Sequence, residues 1–137
     1  RREILLVAQS VFLFTGTIEE NFKKYYEYRD HDAPSKEEME KFLKICSAEF
    51  PLETRCETMS GGERQRVYIA IFLSFMPDVL MLDEPTSALD NTSSDIMMSN
   101  IKNFSKDNEM TTIVVSHYLT LAEKYGDEII ALERSKQ

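Results

Sequence analysis

The sequence predicts an α/β protein built around a parallel β-sheet. Three short apolar runs, at 3–8, 79–82 and 111–115, do not alternate with polar residues, which is typical of strands covered on both faces. Helical patterns separate these runs, and strands that alternate with helices form parallel sheets. A further apolar run at 128–132 predicts a last strand. The helices between 17 and 50 are polar, which predicts a helical lobe inserted into the sheet domain.

The first two predicted helices begin with capping patterns. Thr17 and Glu20 form the sequence T-x-x-E, in which two side chains satisfy free backbone N–H groups at a helix start. Ser35 and Glu38 repeat this pattern at the start of a second helix. The apolar residues of that helix recur three and four positions apart, which predicts an amphipathic helix: Met39, Phe42, Leu43 and Cys46.

The second half of the chain alternates helices and strands. Ser60 and Glu63 form a third capping pattern. The apolar residues after it surround the helix on nearly all sides, which predicts that this helix is buried. Asn91 or Thr92 can cap the helix that follows the second predicted strand.

Composition and charge exclude several classes of function. The 137 residues carry a net charge of -8, which argues against binding along a nucleic-acid backbone or docking on an anionic membrane by charge alone. The longest apolar run, 67–76, is too short to cross a bilayer. Cys46 and Cys56 have no partner at metal-ligand spacing, so we expect two free thiols.

Polar residues follow the first three predicted strands, at the sheet edge where parallel sheets bind ligands. Asp83 could hold Mg²⁺, and Glu84 beside it could polarise an attacking water. His117 could bond a transferring phosphate, and Gln9 could bridge a metal-bound water and a moving loop. Taken singly, each of the four is better explained as an ordinary turn or loop residue.

The segment Ser60-Gly61-Gly62-Glu63 has two interpretations. The capping pattern by itself accounts for Ser60 and Glu63. Two glycines in a first helical turn, however, cost about 1 kcal/mol each relative to alanine. Glycine also lets backbone N–H groups approach an anion at a helix N-terminus. The glycine pair therefore favours an anion site over simple capping.

Taken together, these segments resemble the ATP-binding cassette (ABC) ATPases, which implies the parallel sheet of a P-loop NTPase domain. In chain order they are VAQ at 7–9, MSGGERQR at 59–66, VLMLDEPTSALD at 79–90 and VVSH at 114–117. The resemblance covers essentially the whole chain and is highly specific. Two signature positions depart from the usual sequence, since Met59 replaces leucine and Glu63 replaces glutamine.

The resemblance implies a role for each segment. Gln9 matches the Q-loop glutamine and Asp83 ends the Walker B strand, so both are implied in holding Mg²⁺. Glu84 matches the catalytic glutamate, which acts as general base, and His117 matches the switch histidine. Gln9, Glu84 and His117 are thus the implied catalytic residues. The signature motif, implied in nucleotide binding, is Ser60, Gly61, Gly62 and Glu63, and the D-loop is Ser87, Ala88, Leu89 and Asp90.

The resemblance also implies cofactors and partners. ABC ATPases work as head-to-tail pairs, so a second nucleotide-binding domain is an implied partner, with ATP and Mg²⁺ between the two. The signature motif would cover nucleotide held by that partner. A transmembrane permease is the other implied partner, which implies a cytoplasmic location at the inner face of the cell membrane. No nucleic-acid partner is expected.

The chain resembles the part of such a domain that begins at the Q-loop. It has four glycines, and no GxxxxGK[ST] phosphate loop (Walker A) can be written in it. We therefore expect weak or absent binding of ATP and Mg²⁺, and no hydrolysis by the chain alone. The expected parts are the Q-loop strand and loop at 1–16, a helical subdomain with the signature at 17–76, and the Walker B, D-loop and switch-histidine core at 77–137.

In this family the Walker A strand lies between the strands that match 111–115 and 128–132. Without that strand, 111–115 is expected to expose an edge, and bare edges recruit other strands. One hypothesis is that 128–132 moves over to cover the edge. The other is that two chains associate through it.

Three functions remain open. The TSALD sequence, and the QSVFLFTGTIEENF segment that resembles the region facing transporter membrane domains, favour an ABC transporter ATPase. The alternative is a soluble ABC ATPase without a membrane partner. The chromosome-maintenance type is disfavoured because only about fifty residues separate Gln9 from Ser60, and the ribosome-acting type because it has TNHLD in place of TSALD. The third is a non-catalytic module that supplies its signature in trans.

Overall fold

The computed structural model describes residues 3–133 and confirms the α/β class with a parallel sheet. Strands β1 (Ile4–Val7), β2 (Val79–Asp83) and β3 (Thr111–Val115) form one sheet in the order β1-β2-β3. In its register, Leu82 of β2 lies between Val7 of β1 and Val114 of β3. The helices are α1 (Ile18–Tyr28), α2 (Lys36–Ile45), α3 (Gly61–Ser74), α4 (Asn91–Asp107) and α5 (Leu119–Tyr125), with a 3₁₀ turn at Cys56–Thr58.

The starts of α1 and α2 follow from their capping residues. The N–H of Glu20 donates to Oγ1 of Thr17 (3.1 Å), and the N–H of Thr17 donates to Oε2 of Glu20 (2.7 Å). These two bonds form the predicted capping box. At α2, Ser35 accepts a bond from the N–H of Glu38, but the reciprocal bond is absent among residues 3–133. Ser35 is therefore a simple N-cap.

Helix α3 is central to the core. Eight of its residues are buried, as its apolar circumference predicts, and it packs against α1, α2 and β1. The helix-covered face of the sheet and α4 contribute further buried residues to the same core: Leu5, Val7, Leu80, Leu82, Met97 and Ile101. No helix within residues 3–133 is long and apolar enough to cross a bilayer. The division of the chain into 1–16, 17–76 and 77–137 stays a prediction.

The two cysteines lie in this core as free thiols, as predicted. Cys46 caps the end of α2, and Cys56 opens the 3₁₀ turn. Burial raises the pKa of both thiols, because the thiolate form loses its solvation in an apolar surrounding. Both therefore act as small apolar core residues.

The opposite face of the sheet is open, which corrects the prediction of strands covered on both faces. Ile4, Leu6, Ile113 and Val115 point to this face and are 44% to 61% exposed. Side chains alternate between the faces of a strand, so the residues between them point to the helices instead. The apolar runs are continuous because both faces carry apolar residues, yet within residues 3–133 helices cover only one face.

The predicted strand at 128–132 is wrong. These residues form no strand, and Ile130 and Leu132 are 81% and 91% exposed. Within the described residues β3 pairs with β2 alone, so the hypothesis that 128–132 moves over to cover the edge is also wrong. A strand is held by the partner that satisfies its backbone groups, and the apolar pattern of EIIAL supplies no such partner.

Candidate functional site

Three strand ends bring the predicted site residues to one edge of the sheet. Asp83 is the last residue of β2, and Glu84 follows it directly. Gln9 lies two residues after β1, and His117 lies two residues after β3. Because the strands are parallel and in register, their carboxyl ends meet at this edge. The four candidates, which span 109 positions of the sequence, therefore lie at the same edge of the sheet.

Glu84 has an unusual backbone conformation at this edge. Its φ is 49°, in the left-handed region that costs a residue with a side chain about 1 kcal/mol or more. The N–H of Glu84 donates to the carbonyl oxygen of Val115 (2.8 Å), which continues the pairing of β2 with β3. The N–H of Ser87 donates back to the carbonyl of Glu84 (3.3 Å), which closes a turn. The chain therefore reverses sharply at Glu84 and sends its side chain toward β3.

The carboxylate of Glu84 is held by His117. Oε1 of Glu84 accepts a bond from the backbone N–H of His117 (3.1 Å) and lies 2.5 Å from Nδ1 of its ring. The Glu84 side chain is 7% exposed, whereas that of His117 is 76% exposed. Oε2 of Glu84 is buried and has no hydrogen-bond partner among the described residues. One carboxylate oxygen is therefore fixed, and the other remains a free acceptor.

Few residues at this edge could act as metal ligands. Asp83 is half-buried and Gln9 is exposed. Within residues 3–133 there is no cluster of three or more histidine, cysteine or acidic side chains that could hold a metal ion. Mg²⁺ is commonly bound through one or two carboxylates, with substrate phosphates and water as its other ligands. Asp83 and Gln9 fit such a shared site and do not fit an all-protein metal site.

The start of α3 has the capping geometry that the sequence predicts. The N–H of Ser60 donates to Oε2 of Glu63 (2.9 Å), and the N–H of Glu63 donates to Oγ of Ser60 (3.3 Å). A side chain at Gly61 would meet no atom within 4 Å. The Glu63 carboxylate is thus engaged in the cap, and the space beside Gly61 is open to a ligand.

Gly62 has a different environment from Gly61. A Cβ atom at Gly62 would lie 2.6 Å from the carbonyl oxygen of Ala88 and 3.2 Å from Cδ2 of Leu89. The absence of a side chain at Gly62 is therefore required by the predicted D-loop, which packs directly against the start of α3. The two glycines, which the sequence treats as a pair, face different surroundings.

Gln65 is a site residue that sequence reasoning missed. It lies on α3 and is 4% exposed. Its Nε2 donates to the carbonyl oxygen of Glu84 (3.1 Å), and its Oε1 accepts from the N–H of Ala88 (3.4 Å). The one sequence signal is an amide four positions before the buried Ile69, on a helix whose other faces are mostly apolar.

The predicted D-loop ends in the cap of α4. Asp90, rather than Asn91 or Thr92, is the N-cap, because its side chain accepts from the N–H of Ser93 (2.8 Å). The Ser93 hydroxyl donates a second bond to the same carboxylate (3.0 Å). Hydrogen bonds from the amide and hydroxyl of Ser93 lower the pKa of Asp90. Asp90 therefore joins the turn after Glu84 to the start of α4.

The loop after Gln9 is anchored by a buried asparagine. Oδ1 of Asn21 accepts from the N–H of Phe14 (2.8 Å), and its Nδ2 donates to the carbonyls of Phe14 and Thr17 (both 3.0 Å). The anchored loop carries part of an aromatic surface, which we define as Phe12, Phe14, Tyr25 and Tyr28. In this surface the ring centroids of Phe12 and Phe14 are 5.0 Å apart, and those of Phe14 and Tyr28 are 5.7 Å apart.

Comparison with known proteins agrees with this arrangement. A family model described as ABC transporter matches residues 1–87. The phosphonates import ATP-binding protein PhnC of Treponema denticola is 39% identical over 82 residues, which are 60% of this chain and 32% of that protein. The chain spans between 30% and 48% of the length of three curated relatives that it matches.

Two solved structures have the same fold. A bacterial Atm1-family ABC exporter with ATP bound aligns with a TM-score of 0.77 and 28% identity over 90% of this chain and 22% of that one. A dimeric structure of a bacterial ABC transporter cassette aligns with a TM-score of 0.75 and 27% identity over 89% of this chain and 55% of that one. The predicted P-loop NTPase sheet of the ABC ATPase type is confirmed, and the chain belongs to the ABC transporter family.

Proposed function

We propose that the chain is part of the ATP-hydrolysing subunit of an ABC transporter, which powers transport across a membrane. The Glu84 carboxylate carries this proposal. His117 fixes one of its oxygens, and the other is buried and free to accept a bond at the edge where the strands end. A fixed carboxylate with one free oxygen can take the proton of an attacking water, which is the task of a general base.

The proposed reaction converts ATP and water to ADP and phosphate. Asp83 and Gln9 would hold Mg²⁺ together with phosphate and water oxygens, and bound Mg²⁺ would neutralise the charge that develops on the phosphates. Glu84 would orient the water and accept its proton. His117, whose ring is mostly exposed beside Glu84, would donate to the γ-phosphate. The position of these residues after the three parallel strands supports the assignments.

The start of α3 is proposed to act on nucleotide held by a second nucleotide-binding domain. Ser60, Gly61 and Gly62 present backbone N–H groups at a helix N-terminus, which favours an anion. The open space beside Gly61 supports this role. Glu63 would act by holding Ser60 in place through the capping box. The chain is similar to a bacterial ABC transporter cassette solved as a dimer, which supports the pairing of two such domains.

A membrane permease is the second proposed partner. Phe12 and Phe14 of the aromatic surface lie on the loop that Asn21 anchors, and Phe12 and Tyr28 are strongly exposed. Exposed aromatic side chains that are held rigidly suit a protein interface. Docking there would place the chain in the cytoplasm, at the inner face of the cell membrane. We expect no nucleic-acid partner, given the net charge of -8.

Self-association through the open β3 edge is also proposed. The edge adjoins the bare apolar face that contains Ile113 and Val115, and exposed edges of this kind pair with other strands. Sedimentation velocity at increasing concentration tests this proposal. We expect dimer formation that Ile113→Lys weakens. A chain that stays monomeric at high concentration contradicts the proposal.

The alternative functions are a soluble ABC ATPase and a non-catalytic module that acts in trans. The trans module is favoured by the capped start of α3, where the open space beside Gly61 could receive a partner's nucleotide. Phosphate release from MgATP separates these functions when the chain is assayed alone and with an intact nucleotide-binding domain. We expect no turnover by the chain alone and more turnover in the mixture than by the intact domain alone. We expect Glu84→Gln in this chain to reduce that excess.

The outcomes of this assay differ for each function. Turnover by the chain alone, abolished by Glu84→Gln, contradicts the proposal that it needs a partner. Turnover in the mixture that is insensitive to Glu84→Gln favours the trans module. No stimulation of any kind, with both proteins folded, contradicts the ATPase role.

A further inference from the structure

The amide of Gln65 connects two segments that the proposed mechanism treats separately. Gln65 lies on the second turn of α3, the helix that begins at Ser60. Both of its amide atoms bond to the turn after β2, through the carbonyl of Glu84 and the N–H of Ala88. The side chain is 4% exposed, so water does not compete freely for either bond.

The orientation of the amide follows from its partners. A backbone carbonyl can only accept and a backbone N–H can only donate, so Nε2 must face Glu84 and Oε1 must face Ala88. A buried amide that satisfies two backbone groups of one turn restrains both ends of that turn. The restrained turn contains Glu84, whose φ of 49° needs support from its surroundings.

The distance that this amide spans is set by Gly62. A Cβ atom at Gly62 would meet the carbonyl oxygen of Ala88 at 2.6 Å, so the turn lies as close to α3 as a glycine permits. At this separation the Gln65 side chain reaches both partners from the same helix. Gly62 provides the close approach and Gln65 provides the bonds.

We propose that Gln65 is a positioning residue that holds the backbone of Glu84 in its left-handed conformation. It thereby couples the start of α3, which faces a partner's nucleotide, to the carboxylate that faces the chain's own strand-end site. The proposal rests on the ATPase function proposed above. Gln65 touches no reacting atom in this scheme and acts through Glu84 alone.

Amide NMR of the chain without nucleotide tests this directly. Gln65→Met keeps the length of the side chain and removes both bonds. We expect the Ala88 N–H to exchange with solvent about tenfold faster, the loss that follows the removal of one hydrogen bond. We also expect the Glu84 carbonyl and His117 amide signals to shift. Unchanged exchange at Ala88 and unchanged signals at Glu84 and His117 overturn the proposal.

A second variant separates the two bonds and covers the case in which Gln65→Met does not fold. Gln65→Glu keeps an acceptor for the Ala88 N–H and removes the donor to the Glu84 carbonyl. We expect Ala88 to remain protected while the Glu84 signal shifts. If the Ala88 N–H exchanges as slowly as in wild type and the Glu84 signal does not shift, the proposal is contradicted.

The matched control is Ser74→Ala, which removes buried hydrogen bonds at the other end of α3, to Tyr26 and to the carbonyl of Ile71. It is expected to lower stability without moving the Glu84 and His117 signals. If Ser74→Ala moves those signals as much as Gln65→Met does, the effect of Gln65 is general destabilisation and the proposal is wrong.

A kinetic measurement gives the functional consequence. In the assembly in which the chain supports ATP turnover, Gln65→Met is expected to lower kcat about tenfold with KM within about twofold, because it disturbs the base and not nucleotide binding. An unchanged kcat contradicts the positioning role. An assembly with no wild-type turnover contradicts the ATPase function instead, and the nucleotide-free NMR still decides whether Gln65 holds Glu84.

Discussion

The Nδ1 atom of His117 lies 2.5 Å from Oε1 of Glu84, and the two side chains differ in exposure by an order of magnitude, at 76% and 7%. The carboxylate is buried at the end of β2, and the imidazole covers it from the end of β3. A second bond to the same oxygen comes from the backbone N–H of His117. The backbone and the ring of one residue therefore hold the glutamate, and substitution can separate their effects.

Replacement of the His117 ring is expected to affect activity far more than folding. His117→Ala keeps the backbone N–H that bonds to Glu84 and removes only an exposed ring. We expect the free energy of unfolding to fall by only about 1 kcal/mol, because one contact to Glu84 is lost while the backbone bond remains. ATP turnover, measured with the partner domain, should fall about 100-fold, in the range for loss of one hydrogen-bond donor to the charge that develops in the transition state. The exposed His31 supplies the control, and turnover that falls equally in His31→Ala would argue against a specific role for His117.

The two glycines of α3 are expected to respond in opposite directions to alanine. Gly62→Ala would place a methyl group against the carbonyl of Ala88 and should destabilise the chain by about 1–3 kcal/mol. Gly61→Ala meets no atom and should stabilise the chain by up to about 1 kcal/mol, because alanine favours helix. Urea unfolding measures both changes.

Gly61→Ala also tests the proposed anion site at the start of α3. If the space beside Gly61 admits a partner's nucleotide, Gly61→Ala should reduce turnover in the mixed assay while it stabilises the chain. Full activity in Gly61→Ala would mean that this space is not used by nucleotide.

Asn21 is expected to be essential for the loop that follows Gln9. Asn21→Ala removes one bond to the N–H of Phe14 and the bonds to the carbonyls of Phe14 and Thr17. Because these groups are left without partners, we expect a loss of about 2–3 kcal/mol in the free energy of unfolding. Limited proteolysis should also cut the loop faster than in wild type. Asn103→Ala on the exposed face of α4 is the control, and an equally protected loop in both variants would refute the anchoring role.

The cap of α4 is expected to make stability depend on acid pH. Hydrogen bonds from Ser93 lower the pKa of Asp90 in the folded chain. A carboxyl whose pKa is depressed by folding stabilises the folded state above its unfolded pKa, and this contribution is lost as the pH falls through the folded pKa. The contribution should therefore be present at about pH 6 and decline below about pH 4.

Asn in place of Asp90 tests that pH dependence. Asn caps helices well but does not titrate, so Asp90→Asn should show a smaller drop in Tm between about pH 6 and about pH 3. Ser93→Ala removes only the hydroxyl bond and should give an intermediate drop. Identical drops in wild type and Asp90→Asn would show that other groups govern the acid transition.

Local features were predictable from sequence where the interaction is itself local. The caps of α1 and α3 depend on residues three positions apart, so Thr17 with Glu20 and Ser60 with Glu63 identify them directly. Strands β1 to β3 were recognisable from their apolar runs. The predicted N-cap of α4 was wrong because Asp90 matches the D-loop, although its side chain also meets the requirement for an N-cap.

Features that depend on a distant partner were not predictable in this way. The run 128–132 has the composition of a strand, but strand formation needs a neighbour to satisfy its backbone groups. The open sheet face was not predictable for a similar reason. The alternation of residues along a strand shows which side chains share a face, but it does not show whether another layer covers that face. Gln65 was missed because its two partners lie 19 and 23 positions away.

The sequence by itself determined the family, the order of the elements and the identity of Gln9, Glu84 and His117 as candidates, since motifs and helix caps are short-range patterns. Only the tertiary structure decided how these residues act on one another. In the structure, His117 contacts Glu84, and Gly61 and Gly62 have different neighbours. Gln65 donates a hydrogen bond to the turn after β2. The physical reason is that parallel pairing joins strand ends that are far apart in the chain, so contacts at that edge exist only after the sheet has formed.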